Sequence, residues 1–340
     1  MDNALPISPG FAAPVACANP FARLREQGVI VICAMLFFSS VLVATLPVWS
    51  AGVDAIAVIY PDIGEPYRNI FEGMIEGVED KVGTQVATYP VSDDTDIAKL
   101  KADLRRRDIK VVIALGRQGM KTATAMSDSF RVVVGGVLTV PEKDARAQPV
   151  INLSPDPALL FARVKALMPM TKRIFVVYDP DFNGWLIKLA KDAASAQGLE
   201  LVTYQVQDMR GAVGAYQKIF SAADGRRDAL WLPQDPTTVE DSSILPLVLQ
   251  ESWNQSIAVF SSNAGHVRRG VLFSLYPDNG ALGKRLAGLA EGILNSDGET
   301  ETRGMMPLRD VQSAVNLRTA KHLGISQSLL KSFDTAFPEQ

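Results

Sequence analysis

Two cysteines and two histidines are all that these 340 residues contain, and each scarcity excludes chemistry. Cys17 and Cys33 both precede Ser50, so the chain beyond that point has neither disulfides nor thiol nucleophiles. His266 and His322 lie far apart with no cysteine near them, which argues against a zinc site. His266, in a loop beside Arg268 and Arg269, reads as a surface or hinge residue, and His322 as the exposed side of a last helix. No G-x-G-x-x-G follows an apolar run, and there is no G-x-S-x-G elbow. Gly280-Ala281-Leu282-Gly283-Lys284 looks superficially like a phosphate loop, but it lacks the spacing and the Ser/Thr, and Leu282 belongs to a core face. No pair of carboxylates is set by spacing for acid–base work. A basic surplus is also missing: the net charge is −3, which argues against a nucleic-acid partner. The expectation is a protein that is not an enzyme and carries no cofactor or metal.

What is present is apolar and regular. With 47% apolar and 21% charged residues, the chain suits one or two globular domains with sizeable cores. Arg23 and Arg25 precede a run from Val29 to Val48, followed by Ser50 and Ala51. Basic, apolar, then small is the layout of a secretory signal peptide, with cleavage near Ser50–Ala51. A run of this length, about 20 residues, also suffices to span a bilayer, so residues 1–50 are either a signal peptide or a membrane anchor. Either way the body beyond Ala51 lies outside the cytoplasm, in the periplasm or an equivalent space.

From Ala55 the chain alternates short apolar runs with helical periodicity. Ala55–Tyr60, Val86–Tyr89, Val111–Leu115 and Val132–Val134 read as strands, with helices between them; Ile70, Phe71, Met74, Ile75, Val78 and Val82 fill one face of the first. Arg105-Arg106-Arg107 closes the next helix, where a basic run complements the dipole and faces water. Asn152-Leu153-Ser154-Pro155 looks like a crossover. The rhythm then resumes, with strands at Ile174–Tyr178, Leu199–Val206 and Ala229–Leu232 and helices at Ala158–Leu167, Gly184–Ala196, Ala212–Ala222 and Val239–Trp253. The fold class is therefore α/β, built from two successive βα arrays.

Ile257–Asn295 orders the rest. An apolar run, Ile257–Phe260, ends in Ser261-Ser262-Asn263-Ala264-Gly265. A second run, Gly270–Leu275, leads through Tyr276-Pro277-Asp278-Asn279-Gly280 to a helix with Leu282, Leu286, Leu289, Ile293 and Leu294 on one face. In open α/β sheets, ligands bind at loops leaving the carboxyl ends of strands. Such loops carry Asp62 and Glu65, then Arg117 and Gln118, then Tyr178, Asp179, Asp181 and Asn183, then Gln234, Asp235, Thr237 and Thr238, then Ser262 and Asn263. An amino-acid zwitterion needs donors for its carboxylate and an acidic acceptor for its ammonium, and a bidentate arginine is the strong form of the first. Tyr60, Tyr67, Tyr178, Phe182, Trp185 and Tyr276 are aromatics able to sandwich a side chain, with core packing the competing role for each.

These residues carry a resemblance. Val259-Phe260-Ser261-Ser262, the stretch Val267 to Ser274, Leu282-Gly283 with Ala287, and Asn316-Leu317-Arg318-Thr319-Ala320-Lys321-His322-Leu323-Gly324 resemble the ABC-transporter substrate-binding proteins of the tryptophan/tyrosine-type family. The likeness runs from about Ala55 to Ile325. It implies a type I periplasmic-binding-protein fold: two Rossmann-like lobes with a ligand cleft between them. It also implies the division of the chain, with 54–152 plus about 266–305 in lobe one and 153–265 plus about 306–338 in lobe two. A small-molecule ligand and an ABC permease and ATPase complex in the inner membrane are the implied partners, with a monomer as the expected state. The ligand-binding set is then Asp62, Glu65, Arg117, Gln118, Tyr178, Asn183, Asp235, Thr237, Ser262 and Asn263.

Departures from the family fall in lobe one. Where the family has "G-T-P-A" this chain has Gly116-Arg117-Gln118-Gly119, and where it has "T-D-P-V" this chain has Leu138-Thr139-Val140-Pro141, without the aspartate. Gln234-Asp235-Pro236-Thr237-Thr238-Val239 in lobe two keeps the family pattern. The expected function is thus an importer's solute-binding component for an amino acid or similar organic anion. The alternative is a sensor or accessory partner of a membrane or outer-membrane receptor complex on the same fold.

Overall fold

The computed structural model describes residues 55–140, 142–296 and 303–338; residues 1–50, expected from sequence to be a signal peptide or anchor, lie outside them. Six strands form one sheet: β1 (Ile56–Pro61), β2 (Ala87–Val91), β3 (Val111–Leu115), β4 (Arg131–Val137), β5 (Pro149–Pro155) and β11 (Gly304–Leu308), all parallel, in the order β11-β5-β4-β3-β1-β2. Seven form another: β6 (Arg173–Tyr178), β7 (Glu200–Gln205), β8 (Asp228–Leu232), β9 (Ala258–Ser261), β10 (Phe273–Pro277), β12 (Val311–Asn316) and β13 (Thr335–Phe337), in the order β13-β12-β10-β9-β8-β6-β7. Only β10 and β12 run antiparallel. Buried on both faces, β3 and β8 explain why these strands read as unbroken apolar runs. This is the two-lobed type I periplasmic-binding-protein fold.

Helices α1 (Arg68–Val82), α2 (Ile97–Arg106), α3 (Gly116–Thr124) and α4 (Glu142–Ala147) belong to the first array. The second array has α5 (Pro157–Leu167), α6 (Pro180–Ala196), α7 (Met209–Ala222), α8 (Ile244–Asn254) and α9 (Ala264–Arg269). Then come α10 (Asn279–Asn295), α11 (Leu317–His322) and α12 (Gln327–Leu330). No helix among the described residues is long and apolar enough to cross a membrane. In the second sheet's core, the Phe161 ring meets Trp231 edge-on at 5.6 Å, and Phe260 stacks on Phe273 at 5.3 Å.

Helix α10 packs against α1 with the first sheet, and glycine makes that possible. A Cβ at Gly77 would lie 2.0 Å from the Gly280 carbonyl oxygen, and one at Gly283 2.0 Å from that of Met74. The backbones touch where any side chain would hold them apart.

The return to the first lobe, expected at about residue 266, comes later in the chain. Helix α9 and strand β10 stay with the second sheet, because β10 pairs with β9 and buries Phe273 against Phe260. The chain passes between the sheets three times: at Pro155–Pro157, at Pro277–Asn279 and at Leu308–Val311. Asn152–Pro155 is the end of strand β5 leading into the first passage. The passages are tied side by side. Asp156 N–H donates to the Leu308 carbonyl (2.8 Å) and Asp278 N–H to that of Asp310 (3.0 Å). Arg309 Nε donates to Asp156 Oδ2 (2.9 Å) and Arg285 Nη1 to Asp310 Oδ2 (3.3 Å).

Candidate functional site

Both sheets share one core order. Strands β2-β1-β3-β4-β5 and β7-β6-β8-β9-β10 each run second, first, third, fourth, fifth. The order reverses between the first and third strands, and a crevice opens beyond their carboxyl ends. That places Asp62, Glu65, Arg117 and Gln118 at the first switch point. Tyr178, Asn183, Asp235 and Thr237 fall at the second, with Ser262 and Asn263 one strand further on.

The first switch point is largely unsatisfied. Asp62 and Glu65 are exposed, and their carboxylates have no partner among the described residues. Helix α3 starts directly from β3 at Gly116, whose φ of +68° and contact with Pro61 and Phe71, 2.9 and 3.0 Å from a would-be Cβ, exclude a side chain. Its N-cap residue is Leu115, which has no side-chain acceptor, so the first N–H groups of α3 receive no cap. The positive end of the helix dipole adds to them. Arg117 is exposed, with no partner among the described residues. Gln118 Nε2 reaches Asp93 Oδ1 at 3.3 Å, beside Lys121 Nζ at 2.6 Å. Helix α1 also begins without a side-chain cap, at Tyr67.

The second switch point is saturated. Asp235 is buried, and its carboxylate accepts four bonds: Asp179 N–H (2.8 Å) and Asn183 Nδ2 (2.9 Å) on Oδ2, Thr237 N–H and Thr238 N–H (both 3.0 Å) on Oδ1. A carboxylate has about four acceptor positions, so none remains for a ligand's ammonium. Asn183 also donates to the Gln234 carbonyl, and Thr237 Oγ1 donates to Asp179 Oδ2 at 2.9 Å. Ser262 Oγ accepts from Trp231 Nε1 (3.2 Å) and its carbonyl from Gln234 Nε2 (2.7 Å). Asn263 caps α9 through Gly265 N–H. The Tyr178 hydroxyl lies 3.5 Å from Gln205 Oε1. In this arrangement the second-lobe candidates hold one another.

His266 departs from its expected surface position: it is 4% exposed. Nδ1 lies 2.8 Å from Ser261 Oγ, and Nε2 lies 3.1 Å from Asp241 Oδ1. Ser261 Oγ also accepts from Asn263 N–H at 3.0 Å. One protonation pattern satisfies all three bonds: the serine donates to Nδ1 and Nε2–H donates to Asp241. Burial pushes the imidazole below its usual range, against the pull of Asp241. Serine, histidine and aspartate in a row suggest a hydrolase relay. Ser261, however, is 0% exposed, so its oxygen meets no substrate here, and the trio pins the β8–α8 loop to the start of α9. Sequence reading missed it because Asp241, in a loop, and His266, in helix α9, are 25 residues apart. The Arg105–Arg107 run faces local partners, with Arg106 and Arg107 both on Asp103. Among the described residues no group of three His, Cys, Asp or Glu side chains is placed to hold a metal.

Two sheets of this order, parallel apart from the β10–β12 pair and joined by three adjacent passages, make the two-lobed frame. The sequence profile of the ABC transporter substrate binding protein family matches residues 55–334, and the chain belongs to that family. The family implies a small-molecule ligand, an ABC permease partner and work outside the cytoplasm, in general without catalysis. Among solved structures, the chain is similar to a conserved domain protein from Vibrio cholerae (17% identity, TM-score 0.50), covering 83% of this chain and 99% of that one. It is similar to the ligand-free, open form of CD0873, a substrate binding protein with adhesive properties from Clostridium difficile (18%, TM-score 0.55; 82% and 98% covered). A third similar structure is an ABC domain from Streptococcus pneumoniae in complex with L-Trp (19%, TM-score 0.48; 83% and 99% covered). Comparison with the curated proteins gives no match.

Proposed function

We propose that this chain is the solute-binding component of an ABC importer, and that it holds a small organic anion, an amino acid or a relative of one, between its lobes. The observation carrying this reading is the unsatisfied first switch point: the uncapped α3 N-terminus with the unpaired Arg117 beside it. Backbone N–H groups at a helix start and a free guanidinium together suit a carboxylate. Asp62 and Glu65 supply acceptors for an ammonium on the same side. The saturated second switch point supplies a preformed wall, from which the half-buried Thr237 and Asn263 meet the ligand's far side, while Ser262, fully buried and already bonded, supports that wall from behind. The ligand touches both lobes only when they close about the passages, so binding favours closure, and the closed form docks on the permease and ATPase.

Thermal unfolding against a panel of amino acids, organic acids and peptides tests this. A ligand at about 100 times its dissociation constant stabilises the folded state by about 2.7 kcal/mol. The expected result is a shift for one acid-bearing class that Arg117→Ala diminishes. No shift across the panel would transfer the reading to an accessory partner of a membrane complex.

A further inference from the structure

A second cavity lies at the far end of the second lobe, away from the switch point. It opens where β9 begins and where β12, antiparallel to β10, ends, between α8, α9 and α11. Its volume is about 380 Å³, within the size range of small-molecule pockets. The floor is apolar, formed by Leu249, Ile257 and Val259. One wall is flat: the Trp253 indole stacks on the His322 imidazole, 3.9 Å between centroids and 9° from parallel. His322 Nε2–H donates to the Trp253 carbonyl at 3.0 Å, which fixes the stack. Trp253 is nonetheless 44% exposed, an unusual degree for so large an apolar ring held so firmly.

The rim is positive. Arg268, Arg269 and Arg318 line the cavity, and among the described residues no aspartate or glutamate does. Arg269 is shared with Asp241, and Arg268 lies over the Phe337 ring at 4.8 Å. Arg318 is exposed and has no partner among the described residues. It also borders a neighbouring groove of about 830 Å³, lined with Lys321 and Lys331 and, among the described residues, by no carboxylate. A local surplus of cations in a chain of net charge −3 is not a by-product of overall charge.

We infer that this cavity is a second ligand site, for a small carboxylate with a flat apolar body. The body lies on the apolar floor along the Trp253–His322 wall, and the carboxylate meets the Arg318 guanidinium, whose planar fork suits it. This assignment does not depend on the first switch point binding anything.

Calorimetric titration of the full-length protein with naphthoate and with its neutral alcohol, naphthylmethanol, tests the site. Naphthoate is expected to bind at least about tenfold tighter, as one charge-assisted pair allows. Arg318→Gln, an exposed position whose change leaves the unfolding midpoint in place, should abolish that preference, and Trp253→Ala should weaken both compounds. Added salt should weaken naphthoate alone. Arg117→Ala should change nothing. Absence of naphthoate binding, equal binding of acid and alcohol, or loss of binding in Arg117→Ala would each overturn the assignment.

Discussion

The two switch points are built on the same strand order and treat their polar groups in opposite ways. At β6 and β8 the buried polar side chains find partners: Asp235 takes four donors and Asn183 spans two acceptors. At β1 and β3, helices start uncapped and Arg117, Asp62 and Glu65 stand unpaired among the described residues. An exposed unpaired group costs little while water serves it, and it remains available to a ligand. A buried polar group must be satisfied internally or destabilise the fold. Shape is thus set at one switch point and left open to chemistry at the other.

The sharpest way to break this contrast is Asp235→Ala. It strands four donors, three of them buried, and should cost about 3–5 kcal/mol in urea unfolding, as loss of one partner in a buried polar network does. Near-native stability with altered ligand binding would make Asp235 a ligand residue and dissolve the contrast. The first lobe's equivalent lock is apolar and lies away from its rim, at the α1–α10 glycine contact. Gly283→Ala should therefore cost about 1–3 kcal/mol by overpacking, measured the same way.

A weaker effect is expected from His266, which faces Ser261, Asn263, Asp241 and Arg269. Its folded-state pKa lies below the ordinary 6.5, so the unfolded chain takes up the proton first. Its contribution is present in full above that value and declines as pH falls through 6.5 toward the folded pKa. Melting curves from neutral pH downward should show this decline, flattened in His266→Gln; an unchanged slope would count against the buried neutral imidazole. Arg117→Ala should move stability least, within about 0.5 kcal/mol, since the side chain is exposed and unpaired. A larger loss would show the first rim to be structural as well.

Much of the fold was legible in sequence because parallel strands buried on both faces read as apolar runs, as β3 and β8 do. The amphipathic α1 and the Leu282-Leu286 face of α10 announced themselves by period. What sequence hid depended on distant partners. Nothing local in Phe273 assigns β10 to the second sheet; Phe260 does. Strand β13 is three residues long and exists through its pairing with β12. Asp-Pro-Thr-Thr at 235–238 reads as a binding loop, and only the Asp179 N–H, 56 residues earlier, reveals that it is already occupied. The fusion of His266 to Asp241 was hidden for the same reason. Arg117, by contrast, was visible as a departure, and it is where the structure leaves charge unspent.

The three passages between the sheets have a mechanical consequence. Each is bonded to its neighbour, through Asp156 and Leu308 on one side and Asp278 and Asp310 on the other. Straps fastened edge to edge form a strip, which bends readily along one line but resists shear and torsion. A movement that slid one lobe past the other would have to break those bonds, whereas one that folded the strip would keep them all. The linkage therefore behaves as a mechanism with a single soft coordinate, and whatever the rims of the two sheets present to each other, they present in one fixed alignment.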